Sequence, residues 1–245
     1  MLGLSIQKTL IDLEDSGLKR SLRRVSGAQS QKIIIEGREV LNFCSNNYLG
    51  LANDPRVQQA AIDCIQKEGF GAGAARLICG NMTAHQELEE RLAKFKGTES
   101  GLIFSTGYMA NVGIISSVFG REDIIFSDRL NHASIVDGVR LSGSKWRRYP
   151  HLDMGALEAM LQSSGQFRKK GIITDSVFSM DGDLAPLDQI VALAKKYDCL
   201  VMIDEAHALG VMGENGKGLA EYFGVEEDID IQMGTLSKAA GSFGA

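Results

Sequence analysis

Residues 199–206, CLVMIDEA, decide the fold. Four apolar residues in succession, Leu200-Val201-Met202-Ile203, run into Asp204 with no polar alternation. That is the signature of a strand covered on both faces, as in a parallel sheet packed between helices. The pattern recurs in GLIF at 101–104, DIIFSD at 123–128, GIITDSVF at 171–178 and DIQMGTL at 230–236. Between these runs lie amphipathic stretches such as LDQIVALAKKYD (187–198), where Ile190, Leu193, Ala194 and Tyr197 fall at helix spacing. Strand alternating with helix predicts an α/β fold with a mostly parallel sheet. Asp204 then stands at the carboxyl end of its strand, where open α/β sheets bind ligands. A carboxylate desolvated there is expensive without a cationic or protonated partner.

Upstream, Thr83-Ala84-His85-Gln86 has a capping-box pattern, followed by Leu88, Leu92 and Phe95 on one helix face. Residues 31–43 read as a hairpin turning at Glu36-Gly37. No internal repeat, low-complexity run or linker interrupts the chain. The chain stops at SKAAGSFGA, directly after a strand and without a closing helix, and is expected to be the amino-terminal portion of a longer protein.

Composition narrows the function. The 245 residues are 44% hydrophobic and 23% charged, ordinary for a globular protein. Lys and Arg number 26 against 31 Asp and Glu, a net charge of −5. Such a chain is a poor general binder of nucleic acid or membrane surfaces, and neither is expected as a partner. An anionic ligand needs a local basic patch instead, with Lys19-Arg20, Arg23-Arg24 and Lys145 with Arg147-Arg148 as candidates. Cys44, Cys64, Cys79 and Cys199 have no CxxC spacing and read as reduced thiols. The first residues become acidic too early for a signal peptide, so a cytoplasmic location is expected. Residues 101–120 carry no charge, but their Ser, Thr, Asn and Gly content suits a buried strand, loop and helix better than a membrane span.

Several motifs fail on inspection. DEAH at 204–207 lacks an upstream phosphate loop, and GFGAGAAR at 69–76 misses the GxGxxG spacing. His132, His207 and Asp204 show no metal-ligand spacing, and no metal is expected. What remains is an inventory: a strand-end acid at Asp204, a lysine at Lys238 after the next strand, a helix-opening STGYMAN at 105–111 and an imidazole in NHAS at 131–134. A lysine, a carboxylate, a phosphate cradle and a ring-stacking group together make a pyridoxal-phosphate site.

LNFCSNNYLGL (41–51), STGYMAN (105–111), DRLNHASIVDG (128–138), DSVFSMDGDLAPL (175–187), IDEAHALGVMGENGKG (203–218) and GTLSKA (234–239) carry a resemblance over most of the chain. The sequence resembles the α-oxoamine synthases, fold-type-I enzymes that use pyridoxal 5'-phosphate to condense an amino acid with an acyl thioester and lose CO2. That resemblance implies a seven-stranded-type, mostly parallel sheet between helices. It also implies an amino-terminal helix and hairpin arm over 1–45, a cofactor-binding major domain over 46–245, and a small carboxy-terminal domain absent from this chain. STGYMAN and MDGDLAPL are most similar to the members that join L-alanine to a pimeloyl thioester, carried on CoA or a carrier protein, in biotin biosynthesis. Glycine C-acetyltransferase, which typically has Cys-Phe at Gly107-Tyr108, is the alternative of like chemistry, and a non-catalytic subunit of the same fold the alternative without it.

The resemblance assigns roles residue by residue. Lys238 is implied as the Schiff-base lysine and general base, Asp204 as the partner of the pyridine nitrogen, and His132 as the imidazole stacked on the ring. His207 and Ser179 are implied beside the cofactor's phenolic oxygen, and Gly107, Tyr108 and Thr235 near its phosphate. Arg23, Asn47 and His132 are implied on the substrate side. A homodimer with sites at the interface is expected, on the resemblance and on the apolar-plus-amide mixture of Phe43, Tyr48, Leu49 and Leu51 beside Asn46-Asn47.

Overall fold

The computed structural model describes residues 2–245, which divide into two compact units, one up to Cys44 and one from Ser45 to Ala245. The first holds helix α1 (Leu2–Asp15) and a three-stranded antiparallel sheet of β1 (Val25–Ser26), β2 (Lys32–Ile35) and β3 (Arg38–Leu41). Glu36 and Gly37 form the expected turn, with φ of 50° and 84°. Positive φ at both central residues is what a two-residue hairpin requires.

The second unit opens with α2 (Pro55–Glu68), a π-helical turn at Arg76–Gly80 and α3 (Thr83–Lys96). The expected capping box is shifted by one residue. Met82 takes the cap position, and its N–H donates to His85 Nδ1 at 3.0 Å. GFGAGAAR follows a helix rather than a strand, and its Arg76 is spent on Asn81 and Glu89. There follow α4 (Gly107–Val118), β4 (Ile124–Asp128), α5 (Ala133–Ser142), β5 (Lys145–Tyr149), α6 (Met154–Gln162), β6 (Lys170–Asp175), α7 (Leu187–Tyr197), β7 (Leu200–Asp204), α8 (Leu219–Phe223) and β8 (Ile231–Met233). Strands β4 to β8 form one parallel sheet in the order β5-β4-β6-β7-β8.

Period-2 geometry splits the apolar runs between two cores. Ile124, Phe126, Ile172, Val201 and Ile203 face Leu157, Leu161, Ile190 and Ala194 of α6 and α7. The intervening Ile125, Ile173 and Met202 face Ile115, Ile135 and Val139 of α4 and α5. Burying each such side chain is worth about 1.5–3 kcal/mol, so both faces hold the sheet. Close approach demands glycine at two points. A Cβ on Gly171 of β6 would lie 2.4 Å from the Phe119 ring, and one on Gly138 of α5 would lie 3.1 Å from the Asn111 carbonyl oxygen.

Two segments depart from the sequence reading. GLIF at 101–104 forms no strand. Only Phe104 pairs, exchanging backbone hydrogen bonds of 2.8 and 2.9 Å with Ala245. In contrast, β5 (KWRRY) lies in a stretch read only for its cations. Arg147 bonds Ser163 Oγ at 2.7 Å, and Arg148 bonds the Arg129 carbonyl and lies over the Trp146 ring, so both support the edge strand. No helix among the described residues is long and apolar enough to cross a membrane.

Strand order reverses at β4. The chain places β5 on one side of it and β6 on the other. A crevice at the carboxyl ends of the strands is expected at such a switch point. There Asp175 pairs in register with Asp204, and Asp204 with Met233.

Candidate active site

The crevice holds an open cleft of about 600 Å³ of empty space. It gathers Gly107, Tyr108, His132, Ser179, Asp204, His207, Thr235 and Lys238, eight of the ten residues the sequence nominated. Strand ends and the turns after them supply most of these. Asp204 ends β7, Thr235 and Lys238 follow β8, and His132 caps α5 after β4. Gly107 and Tyr108 open α4, which Thr106 caps by accepting the Met109 N–H at 3.1 Å. The positive end of that helix and its first amides therefore meet the cleft.

Asn47 and Arg23 are not among the cleft residues. Asn47 Oδ1 accepts the Ala52 N–H at 3.1 Å, and Arg23 is an exposed residue of the first unit. Its neighbour Tyr48, read from sequence only as an interface residue, reaches His207 Nδ1 at 2.7 Å. Sequence reasoning also passed over Asn111, Ser134 and Asp175, which line the cleft and are buried. Asp175 was findable, since it ends an apolar strand as Asp204 does.

Asp204 and Asp175 cannot both carry charge cheaply at adjacent buried strand ends. Burial pushes Asp175 up to about 8, with the neighbouring Asp204 adding to the push. It has one donor, the His132 N–H at 3.0 Å, and its Oδ1 is buried without a partner. Burial raises Asp204 too, but Asn111 Nδ2 at 2.8 Å and the Ala206 N–H at 2.9 Å oppose that rise. With two hydrogen-bond donors on its carboxylate against one on Asp175, Asp204 keeps the negative charge and Asp175 holds the proton near neutral pH.

Lys238 Nζ donates to His207 Nε2 at 2.8 Å. Burial depresses the lysine, and the two aspartates work against that depression. Burial and the Lys238 charge bring His207 down to about 4, so its ring is neutral. With Nε2 accepting from the amine, Nδ1–H donates to Tyr48 Oη, whose own proton goes to Asn46 Oδ1 at 3.2 Å. A partly desolvated amine held by a neutral acceptor is a ready nucleophile and base.

Glu205, the acid of DEAH, does no metal work. It is fully buried and accepts the Leu219 and Ala220 N–H groups at the start of α8 and the Ser176 hydroxyl. No cluster of metal-ligating side chains occurs among the described residues.

The chain is 56% identical over 241 residues to the 8-amino-7-oxononanoate synthase of Geobacter sulfurreducens, covering 98% of this chain and 62% of that one. It is also 56% identical over 237 residues to the 8-amino-7-oxononanoate synthase of Geotalea daltonii, covering 96% of this chain and 60% of the relative. The chain thus spans about six tenths of the length of the curated relatives it matches. Among solved structures, a serine palmitoyltransferase from S. paucimobilis bearing a PLP–myriocin aldimine superposes with a TM-score of 0.91 at 35% identity, over 98% of this chain and 61% of that one. An 8-amino-7-oxononanoate synthase from Francisella tularensis gives 0.71 at 33% identity, over 82% and 56%. Residues 38–245 match the model of aminotransferase class I and II, and the chain belongs to that family.

Proposed function

We propose that the protein is a pyridoxal-phosphate-dependent acyltransferase that condenses L-alanine with a pimeloyl thioester, with loss of CO2, to give 8-amino-7-oxononanoate in biotin biosynthesis. The observation that carries this is Lys238 and the buried Asp204 converging on one cleft whose residues fit the cofactor's functional groups. The choice of substrates rests on the 56% identity to 8-amino-7-oxononanoate synthases. The serine palmitoyltransferase likeness stands at 35%.

The donor set suits each part of the group. The amides of Gly107 and Tyr108 and the Thr235 hydroxyl would hold the phosphate. Asp204 would hold the pyridine nitrogen, His207 and Ser179 the phenolic oxygen, His132 the ring face and Lys238 the aldehyde. When bound, the cofactor supplies an electron sink for a carbanion at the amino acid's Cα. Asp204, kept charged by its two hydrogen bonds, would hold a proton on the pyridine nitrogen. Lys238 would act as the general base that removes the Cα proton and, after CO2 has left, would return a proton to the same carbon. The thioester carbonyl would be the electrophile for that carbon, and its sulfur would leave as a thiolate that takes a proton from solvent. Asn47 and Arg23 complete the reading as substrate-side residues.

The unit 45–245 is read as the cofactor-binding major domain proposed over 46–245, and the first unit as the amino-terminal arm proposed over 1–45. The protein is read as a cytoplasmic homodimer with no nucleic-acid or membrane partner. Full-length protein supplied with alanine and pimeloyl-CoA should release CoA and CO2, with far slower turnover of glycine plus acetyl-CoA. Preference for glycine and acetyl-CoA, or for serine and a long-chain thioester, would overturn the substrate assignment. Failure to take up pyridoxal phosphate would overturn the enzyme itself. Sedimentation at micromolar concentration tests the dimer, and a fully active monomer would refute it.

A further inference from the structure

Two buried residues with no part in the chemistry above join two that have one. Asn111 on α4 is 1% exposed, and its Nδ2 lies 2.8 Å from both Asp204 Oδ2 and Ser134 Oγ. Ser134, in the first turn of α5, is fully buried. Its hydroxyl lies 2.7 Å from His132 Nδ1, and its backbone N–H donates to the same nitrogen at 3.3 Å.

Chemistry fixes the direction of every bond in this chain. A charged carboxylate only accepts, so Asn111 must turn its NH2 toward Asp204. The second hydrogen of that NH2 goes to Ser134 Oγ. The serine's own proton is then free for His132 Nδ1, which also receives the Ser134 amide. Nδ1 is an acceptor twice over, and the ring proton sits on Nε2. Turning the Asn111 amide over would set two oxygens 2.8 Å apart at Asp204, which only a protonated Asp204 would tolerate.

We propose that Asn111 and Ser134 are positioning residues, a two-bond relay through which the charge of Asp204 fixes His132 as its Nε2–H tautomer. The use of that tautomer rests on the proposed function. A ring lining the cleft with its one proton on Nε2 offers a donor to a substrate oxygen, such as a carboxylate or a thioester carbonyl. It does not serve there as a base. The relay also explains why a fully buried serine and a buried asparagine lie between two helices in an otherwise apolar contact: each has a charged or ring-nitrogen partner to satisfy.

The test needs neither cofactor nor substrate, so it stands apart from the assigned reaction. Full-length protein freed of cofactor and labelled with 15N-histidine is read by NMR at neutral pH, with His132→Gln assigning the signal. The expected spectrum has a bare, pyridine-type Nδ1 and a protonated, pyrrole-type Nε2. Ser134→Ala removes the 2.7 Å hydroxyl contact and leaves only the longer amide one of 3.3 Å. Both nitrogens should then shift part of the way toward a mixture of tautomers, whereas Ser134→Thr keeps the hydroxyl and should leave them in place. Asn111→Leu should shift them as Ser134→Ala does. A wild-type ring with its proton on Nδ1 overturns the proposal without recourse to any variant. Unchanged nitrogens in folded Ser134→Ala would overturn the relay.

Discussion

Lys238 Nζ sits 2.8 Å from His207 Nε2, and the hydrogen bond has a fixed sense. The ring is neutral near neutral pH, because burial and the lysine's charge bring it down to about 4. It accepts from the amine at Nε2 and donates its one ring N–H, on Nδ1, to Tyr48. The lysine is thus oriented by a partner that neither neutralises it nor competes for its proton. Depression by burial then lets the amine shed its charge at a lower pH than a solvated lysine would.

Capture of added pyridoxal phosphate should follow from this. The neutral amine is the reactive form, so the capture rate should rise with pH and level off through a midpoint below the ordinary lysine value of about 10.4. Lys238→Ala should abolish both the visible absorbance of the bound cofactor and turnover. Lys217, the nearest lysine in sequence, is held near Glu226 in a separate turn and cannot substitute. Normal activity in Lys238→Ala would rule out the mechanism.

Asp204→Asn should separate chemistry from binding. The amide cannot hold a proton on the nitrogen it faces, while the α4 amides and Thr235 remain to hold a phosphate. Loss of one preorganised electrostatic partner is typically worth about 10²–10³ in kcat. A drop of that size with cofactor retained is expected, measured as turnover against absorbance. A near wild-type rate would reduce Asp204 to a structural strand end.

Asp175 ties stability to pH. Its folded value of about 8 lies far above the roughly 3.9 of an unfolded chain. Between those values the native state binds a proton that the unfolded state does not, so stability falls as pH rises toward 8 and levels off above it. Asn at this position cannot ionise. In cofactor-free protein, the melting temperature of Asp175→Asn should fall less between pH 6 and pH 9 than that of the wild type. Parallel profiles would show that Asp175 is ionised throughout.

Much of this was legible in the chain because it depends on local chemistry. Apolar runs that end in an acid reveal β6 and β7 and the carboxylates at their tips, and the turns after β4 and β8 announce His132 and Lys238. Two features were not legible. The β5 segment KWRRY hides behind its cations, since an edge strand needs only some of its residues buried, here above all Tyr149. The GLIF stretch has strand composition, but composition does not supply neighbouring backbone to pair with. Asn111 and Ser134 were quoted within motifs yet carried no reading, because each matters only through a partner on another element.

His151 provides the last test, away from the lysine. Its Nδ1 lies 2.9 Å from Asp128 Oδ1, its Nε2 lies 2.7 Å from Asp183 Oδ2, and its ring stands edge-on to Phe178 at 4.4 Å. Asp183 and Phe178 belong to the turn that carries Ser179 into the cleft, closed by the Val177–Leu184 bridge. Burial works against a charged ring here, but the hydrogen bonds to Asp183 and Asp128 outweigh it and raise His151 above its usual value. A raised folded value means the clamp contributes fully below about pH 6.5, the unfolded histidine value, and loses its contribution as pH rises through the folded one. His151→Gln should therefore cost about 1.5–3 kcal/mol at pH 5.5, the range for a charge-assisted hydrogen bond, and less at pH 8.5. Urea unfolding at the two pH values measures the difference. An equal cost at both would show that the ring is neutral and the turn is held by packing on Phe178 alone.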